Sequence, residues 1–335
     1  MDMKLKNLFI YGIILLFGFV CFTTGYYSNK SSVQIVETQP DAVIEKRLKE
    51  NFKFINPLLE CDSEIGNSKQ LRPLSEQLNK YINQMTANNT ISTAGVYYRD
   101  LNNGPWLGIN ENTKFAPASL IKVPVMIRYY KLAESDPTIL TKKLKLTTNT
   151  NVNMLKTFYA GKSELKLNNE YTINELIESM ITKSDNLAYF TLKNNLSKND
   201  FDAIFNDFGI DITAIESSKT DDVLTIREYS SFFRILFNSS YLSRDYSERA
   251  LALLSRTEYK NGLIAGVSTT TVVSHKYGEK VDETSGENQL HDCGIIYTAR
   301  NPYILCVMTR GNNPNNLSKV IQEISKITFS YITSE

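Results

Sequence analysis

Apolar positions along this chain change period in a readable order. From Leu74 to Met85 they fall at Leu74, Leu78, Ile82 and Met85, one face of a helix. Ser92 to Tyr98 reads as a strand, and the turn signal Asn102-Asn103-Gly104 leads into a second strand at Trp106-Leu107-Gly108-Ile109. A central helix is predicted from about Ser119 to Ala133. Residues 138 to 210 read as almost wholly helical, most clearly at Ile173 to Ile181, Asn186 to Lys193 and Asp200 to Phe208. Further helices are expected at Thr225 to Phe237 and Ser247 to Leu254. Strand character returns at Thr269 to Tyr277, Gly294 to Tyr297 and Tyr303 to Met308, and Leu317 to Ile332 is an amphipathic helix.

The order is helix, two strands, a block of helices, three strands, helix. Strands from both ends must meet in one antiparallel sheet, with the terminal helices covering one face and the middle block forming a mainly helical lobe. Clefts between such lobes are frequent ligand sites.

Ahead of this pattern, Lys4 and Lys6 precede an uncharged apolar run from Leu8 to Phe22, which approaches the length of a bilayer span when Thr23 to Tyr27 are added. Positive charge before the run places the N-terminus inside and the remainder outside. We read residues 1–27 as a signal-anchor, residues 28–70 as a tether and residues 71–335 as the globular domain. A cleaved signal peptide is the runner-up; Val20 before Cys21 fits a lipoprotein site poorly, where small residues are expected. Either way the globular part is exported.

Composition narrows the chemistry. The chain has 335 residues, 42% hydrophobic and 22% charged, with a formal charge of +1, so no global field favours nucleic acid. Lys142-Lys143-Leu144-Lys145 reads as a solvated face. The two histidines, His275 and His291, exclude a histidine-rich metal site, and no cofactor is expected. Of the four cysteines, Cys21 lies in the leader and Cys293 and Cys306 fall in neighbouring predicted strands. A bridge between that pair is possible, but buried free thiols are the preferred reading.

Candidate chemistry begins at the mouth of the central helix. Ser119 stands there with Lys122 three positions later, on the same face, and the helix N-terminus supplies unpaired N–H groups suited to a developing oxyanion. Alone, Ser-x-x-Lys arises often by chance. Two further stretches join it. Ser184-Asp185-Asn186 lies between two predicted helices, where the plain alternative is a helix N-cap. Lys276-Tyr277-Gly278 lies at the end of a strand, where the plain alternative is an edge lysine before a turn.

Ser-x-x-Lys, Ser-Asp-Asn and Lys-x-Gly in this order resemble the penicillin-recognising serine hydrolases, in particular their class A β-lactamase-like branch. The resemblance spans roughly residues 70 to 335 and includes the late hairpin His291-Asp292-Cys293-Gly294-Ile295-Ile296-Tyr297. It implies an α/β (α+β) fold of the β-lactamase/transpeptidase type, with a five-stranded antiparallel sheet flanked by terminal helices and a mainly helical lobe. It also implies roles. Ser119 is the acylated nucleophile and Lys122 takes its proton, which requires an amine whose pKa burial and Lys276 have lowered. Ser184 passes a proton toward the leaving nitrogen, Asn186 binds a substrate amide and holds Lys122, and Lys276 attracts the substrate carboxylate. Asp185 orients its turn. The backbone N–H groups of Ser119 and Glu279, the residue after Gly278, form the oxyanion hole.

Two departures stand out. Tyr277 replaces the usual Thr or Ser, which moves the hydroxyl outward and affects carboxylate recognition. Between Phe208 and Thr225 the Glu-x-x-Leu-Asn motif of class A β-lactamases is absent, and Glu216 is the only glutamate available as a deacylation base. The expected function is an exported serine hydrolase opening β-lactam amide bonds, with slow deacylation. The alternatives are a cell-wall D,D-peptidase or transpeptidase-like acyltransferase acting on D-Ala-D-Ala-like peptides, and a non-catalytic wall-binding module.

Overall fold

In a computed structural model, the structure describes residues 45–47, 53–55, 58–61, 69–102, 104–147, 157–159, 163–210, 222–282, 285–299 and 301–334. The leader, most of the tether and Glu216 lie outside the described residues. Among the described residues no helix is long and apolar enough to cross a membrane.

In chain order the main elements are α1 (Arg72–Ala87), β1 (Thr93–Asp100), β2 (Trp106–Ile109), α2 (Lys122–Ser135), α3 (Ile173–Thr182), α4 (Asn186–Asn195), α5 (Lys198–Asn206), α6 (Ile226–Asn238) and α7 (Arg244–Leu254). They are followed by β3 (Val272–Lys280), β4 (Asn288–Tyr297), β5 (Tyr303–Gly311) and α8 (Pro314–Ser334). The five strands form one antiparallel sheet in the order β2-β1-β5-β4-β3. This five-stranded antiparallel sheet is the one the sequence resemblance implies.

Alternation along the strands sorts the core into two layers. Tyr303, Leu305 and Val307 of β5, with Ala94, Val96 and Tyr98 of β1, pack with Leu74, Leu78 and Ile82 of α1 and Leu317, Val320, Ile321 and Ile324 of α8. Ile304, Cys306 and Met308 point the other way, into the layer shared with α2, α3, α6 and α7. The terminal helices therefore cover one face and the helical lobe the other. Leu290 and Ile296 of β4 face the terminal helices, whereas Cys293 and Ile295 face the lobe.

The structure extends four strands, β1, β3, β4 and β5, beyond their sequence-predicted ends. β4 begins at Asn288 rather than Gly294, because Gln289, His291 and Asp292 find buried partners that local periodicity does not reveal. Lys143–Lys145 and Glu170–Thr172 form a two-stranded ribbon inside the stretch read as helical. Their partners are far apart in sequence, so the pairing leaves little local signal. Thr172 then closes a capping box with Glu175 and starts α3. A further correction concerns the thiols. Cys293 and Cys306 stand directly opposite each other in the β4–β5 register and are joined as a disulfide.

Residues 53–55, inside the segment read as a tether, are part of the core surface. The Glu248 carboxylate accepts from the backbone N–H groups of Lys53, Phe54 and Ile55 at 2.9–3.2 Å. Phe54 and Ile55 are buried, and the Phe54 ring meets Tyr297 edge-on at 5.5 Å while Tyr297 donates to its carbonyl. Phe54→Ala is expected to cost about 3 kcal/mol of unfolding free energy, read from denaturant melts. A loss below roughly 0.5 kcal/mol would show that this clasp carries no stability.

Candidate active site

The turn that carries Ser119 is held in place by the surrounding fold. Ser119 lies in a short 3₁₀ turn, Ala118–Ile121, that runs into α2. Ala118 just ahead of it has φ 46°, in the left-handed region, and Ser184 across the cleft has φ 56°. Such backbone is held only where surroundings enforce it. For the Ser119 turn they do. The Ala116 N–H donates to Gln289 Oε1 at 3.0 Å, the Ala116 carbonyl lies 3.1 Å from His291 Nε2, and Tyr229 donates to the Leu120 carbonyl at 3.0 Å. His291 Nδ1 accepts from the Thr309 N–H, so its proton sits on Nε2. Burial pulls the His291 pKa down to about 4, which keeps it neutral in this role.

The turn at Ser184 is set by its neighbour. Asp185 caps α4, accepting from the N–H groups of Leu187 at 2.8 Å and Ala188 at 3.1 Å. Its other oxygen takes the hydroxyls of Ser163 and Ser179. Ser184 is thereby turned toward α2. The third stretch arrives on β3, the edge strand of the sheet. A Cβ on Gly278 would lie 2.9 Å from Leu120 Cγ and 3.1 Å from the Leu120 nitrogen and the Pro117 oxygen. Glycine therefore lets the 278–279 backbone approach the Ser119 turn.

The three stretches meet at two amines. Lys122 Nζ lies 2.9 Å from Ser119 Oγ, 2.6 Å from the Ser184 carbonyl, 3.1 Å from Ser184 Oγ and 2.7 Å from Asn186 Oδ1. Lys276 Nζ lies 2.9 Å from Ser184 Oγ and 2.9 Å from the Tyr277 carbonyl. The two residues are 1% and 0% exposed. Burial drives the Lys122 pKa well below its usual value, with the Lys276 charge acting in the same direction against Asp185 and Glu279. Lys276 is lowered by burial to about 7, opposed by Asp292 and Glu279. A neutral Lys122 has two N–H groups and one lone pair. Donating to the Ser184 carbonyl and Asn186 Oδ1 leaves the lone pair for the Ser119 proton. That arrangement suits proton abstraction.

A family model described as the beta-lactamase enzyme family matches residues 73–332. The chain belongs to this family. Among solved structures, PBP-A superposes with a TM-score of 0.67 at 20% identity, covering 82% of this chain and 99% of that one. An acyl-enzyme complex of a PBP-A variant with penicillin G gives 0.66 at 20% identity, over 82% and 100%. A beta lactamase from Xanthomonas campestris pv. campestris gives 0.65 at 16% identity, over 77% and 98%. At these identities the likeness establishes the fold. No curated protein matches.

The structure brings Ser119, Lys122, Ser184, Asn186, Lys276 and Gly278 of this family member together. Tyr277 departs from expectation. Its hydroxyl does not extend outward; the residue is 2% exposed, its ring stacks on Tyr259 at 4.1 Å, and the Lys276 ammonium sits 4.2 Å from its centroid. Stacking on Tyr259 keeps the ring buried, with its hydroxyl beside Ser184 rather than in solvent. Glu279 was expected to contribute only its backbone, yet its buried carboxylate accepts from the N–H groups of Phe158 and Tyr159 at 2.7–3.2 Å. Sequence reading missed that role, along with Gln289 and His291; polar residues in strand-compatible positions were the available signal. Glu216 lies outside the described residues; the next described residues, Asp222 and Val223, lie beside the Ser119 turn. There the Val223 N–H donates to Phe115 at 3.1 Å, and Asp222 is held by Gln289 and Arg310 at 2.7 Å each.

Two measurements follow from this geometry. Gly278→Ala must push the edge strand off the Ser119 turn, so acylation is expected to slow roughly tenfold or more; an unchanged rate would show that the close approach is dispensable. For Lys276, the folded pKa near 7 lies below the ordinary 10.5. Between those values the unfolded chain binds more protons, so stability should rise with pH. The melting temperature of the wild type relative to Lys276→Met is expected to increase from about pH 7 to about pH 10. Parallel pH profiles would remove the inferred shift.

Proposed function

We propose that this protein is a serine acyl-transfer enzyme that forms an acyl-enzyme on Ser119 with β-lactam amides or D-Ala-D-Ala-like peptides. The observation that carries the reading is the buried Lys122 amine, 2.9 Å from Ser119 Oγ and shared with Ser184 and Asn186. In the proposed step Lys122 takes the Ser119 proton as Oγ bonds to the carbonyl carbon. The carbonyl oxygen becomes an oxyanion, received by the backbone N–H groups of Ser119 and Glu279. As it collapses the C–N bond breaks, and the departing nitrogen takes the Ser184 proton. Ser184 is resupplied from Lys122 or Lys276, both within 3.1 Å of its hydroxyl. Asn186 holds the amine and offers its amide to the substrate.

Release of the acyl group requires an activated water, and Glu216 is the candidate base in the loop that lacks the class A motif. Slow deacylation is therefore part of the proposal. A D,D-peptidase or transpeptidase-like activity uses the same residues, and the structural likeness to PBP-A supports keeping it as the second reading. The leader, with Lys4 and Lys6 before an apolar run, supports an exported domain anchored to a membrane.

Intact mass after incubation with a penicillin tests the reading. The wild type is expected to gain one penicillin mass that persists, and Ser119→Ala to acylate roughly a thousandfold more slowly or not at all. Absence of both adduct and product with the wild type would overturn it. Glu216→Gln is expected to slow release further, and unchanged release would remove Glu216 from the mechanism.

A further inference from the structure

The helical lobe holds a second concave space. A cavity of about 430 Å³ opens where α2, α3 and α7 meet residues 53–54, and none of its lining residues belongs to the Ser119 site. Its volume lies within the range of pockets that take small organic ligands. Three cations line it, Lys53, Arg249 and Arg256, against one carboxylate, Glu178. Glu248, beside Arg249 on α7, is committed to the backbone N–H groups of residues 53–55. The lining therefore carries two uncompensated positive charges.

Arg249 is the best placed of the three cations. Its guanidinium lies 5.3 Å from the centroid of the buried Tyr130 ring and donates to Asn174 Oδ1, so the groups that fix it are neutral. Burial lifts the Tyr130 hydroxyl to about 12, which keeps it uncharged. Arg256 donates to Glu178 at 2.9 Å through one nitrogen and has further N–H groups to offer. Lys53 arrives on a segment clasped by Glu248 from 195 residues away in sequence. Phe54, Tyr130 and Leu253 are buried and give the same space an apolar lining. Guanidinium forks match phosphate oxygens in geometry, and a dianionic phosphate matches the surplus of two charges where a single carboxylate would leave one unmatched.

We propose that this cavity is a second ligand site, which takes an organic phosphate monoester, its phosphate among Lys53, Arg249 and Arg256 and its apolar portion against Tyr130 and Leu253. That chemistry is shared by a free phosphomonoester and by the headgroup of a phosphatidate. The inference is independent of the acyl-enzyme reading. Because Lys53 and Phe54 belong to the clasped segment, ligand bound here also favours the closed clasp by mass action.

Isothermal titration calorimetry on the full chain, at about pH 8 where a phosphate monoester is dianionic, tests this with phenyl phosphate, inorganic phosphate and benzyl alcohol. Phenyl phosphate is expected to bind about tenfold or more tightly than either of the others, since it alone offers both the dianion and the ring. Arg249→Gln is expected to weaken it about tenfold, and Lys53→Gln, a change at an exposed residue that guards against a folding defect, about threefold. Arg244→Gln removes the same charge from the exposed start of α7, and Lys276→Met removes a cation of the Ser119 site. Both are expected to stay within about twofold of the wild type. Inorganic phosphate binding as tightly as phenyl phosphate, unchanged affinity in both Arg249→Gln and Lys53→Gln, or a loss in Lys276→Met equal to that in Arg249→Gln would each overturn the proposal. Dihexanoyl phosphatidate, added as dispersed monomer, separates the two sources: tighter binding than phenyl phosphate assigns the site to a lipid headgroup, and weaker binding to a free phosphomonoester.

Discussion

The Lys122 amine is the interaction on which the arrangement depends, because a buried amine must be matched with partners from every side. Its partners come from the nucleophile turn, from the Ser184 turn and from the first residue of α4. An ammonium in such a place carries a large desolvation cost, and a neutral amine carries much less. The same burial that makes the charged form unfavourable favours the neutral amine, the form able to accept a proton. Removing a partner would therefore alter chemistry as well as packing.

Around this contact the sheet acts as a ruler. The alternation of β3 sends Lys276 and Gly278 toward the Ser119 and Ser184 turns and packs Val273 and Tyr277 with the layer under the terminal helices. β4 then contributes His291 on one face, bracing the Ala116 carbonyl, and Asp292 on the other, bracing His275. A one-residue slip of either strand would exchange these faces. The Cys293–Cys306 bridge joins β4 and β5 at a directly opposed pair within that register. Left-handed backbone at Ala118 and Ser184 marks the two turns that bring Ser119 and Ser184 to Lys122.

Legibility differed by kind of element. α1, α8 and β2 were readable because each buries one face against the core, and the burial follows the local period. The N-terminal half of β4 was not, since Asn288, Gln289 and His291 look like turn or surface residues until their partners are known. The ribbon at 143–145 and 170–172 was lost for the same reason, its pairing being distant in sequence. Cysteine pairing turned on a register that periodicity leaves open by one residue or more.

For the site, sequence by itself determined the inventory: a serine and a lysine on one helix face, a Ser-Asp-Asn turn and a Lys-x-Gly strand end, in an order that limits the fold. Those are local facts, fixed by helix and strand periods. Tertiary structure decided what surrounds them. It buried both amines, turned Tyr277 onto Tyr259, and aimed the Glu279 carboxylate at the Phe158 and Tyr159 amides. Desolvation and the sign of the nearby charge depend on which distant segments close over a residue, and no local period encodes that.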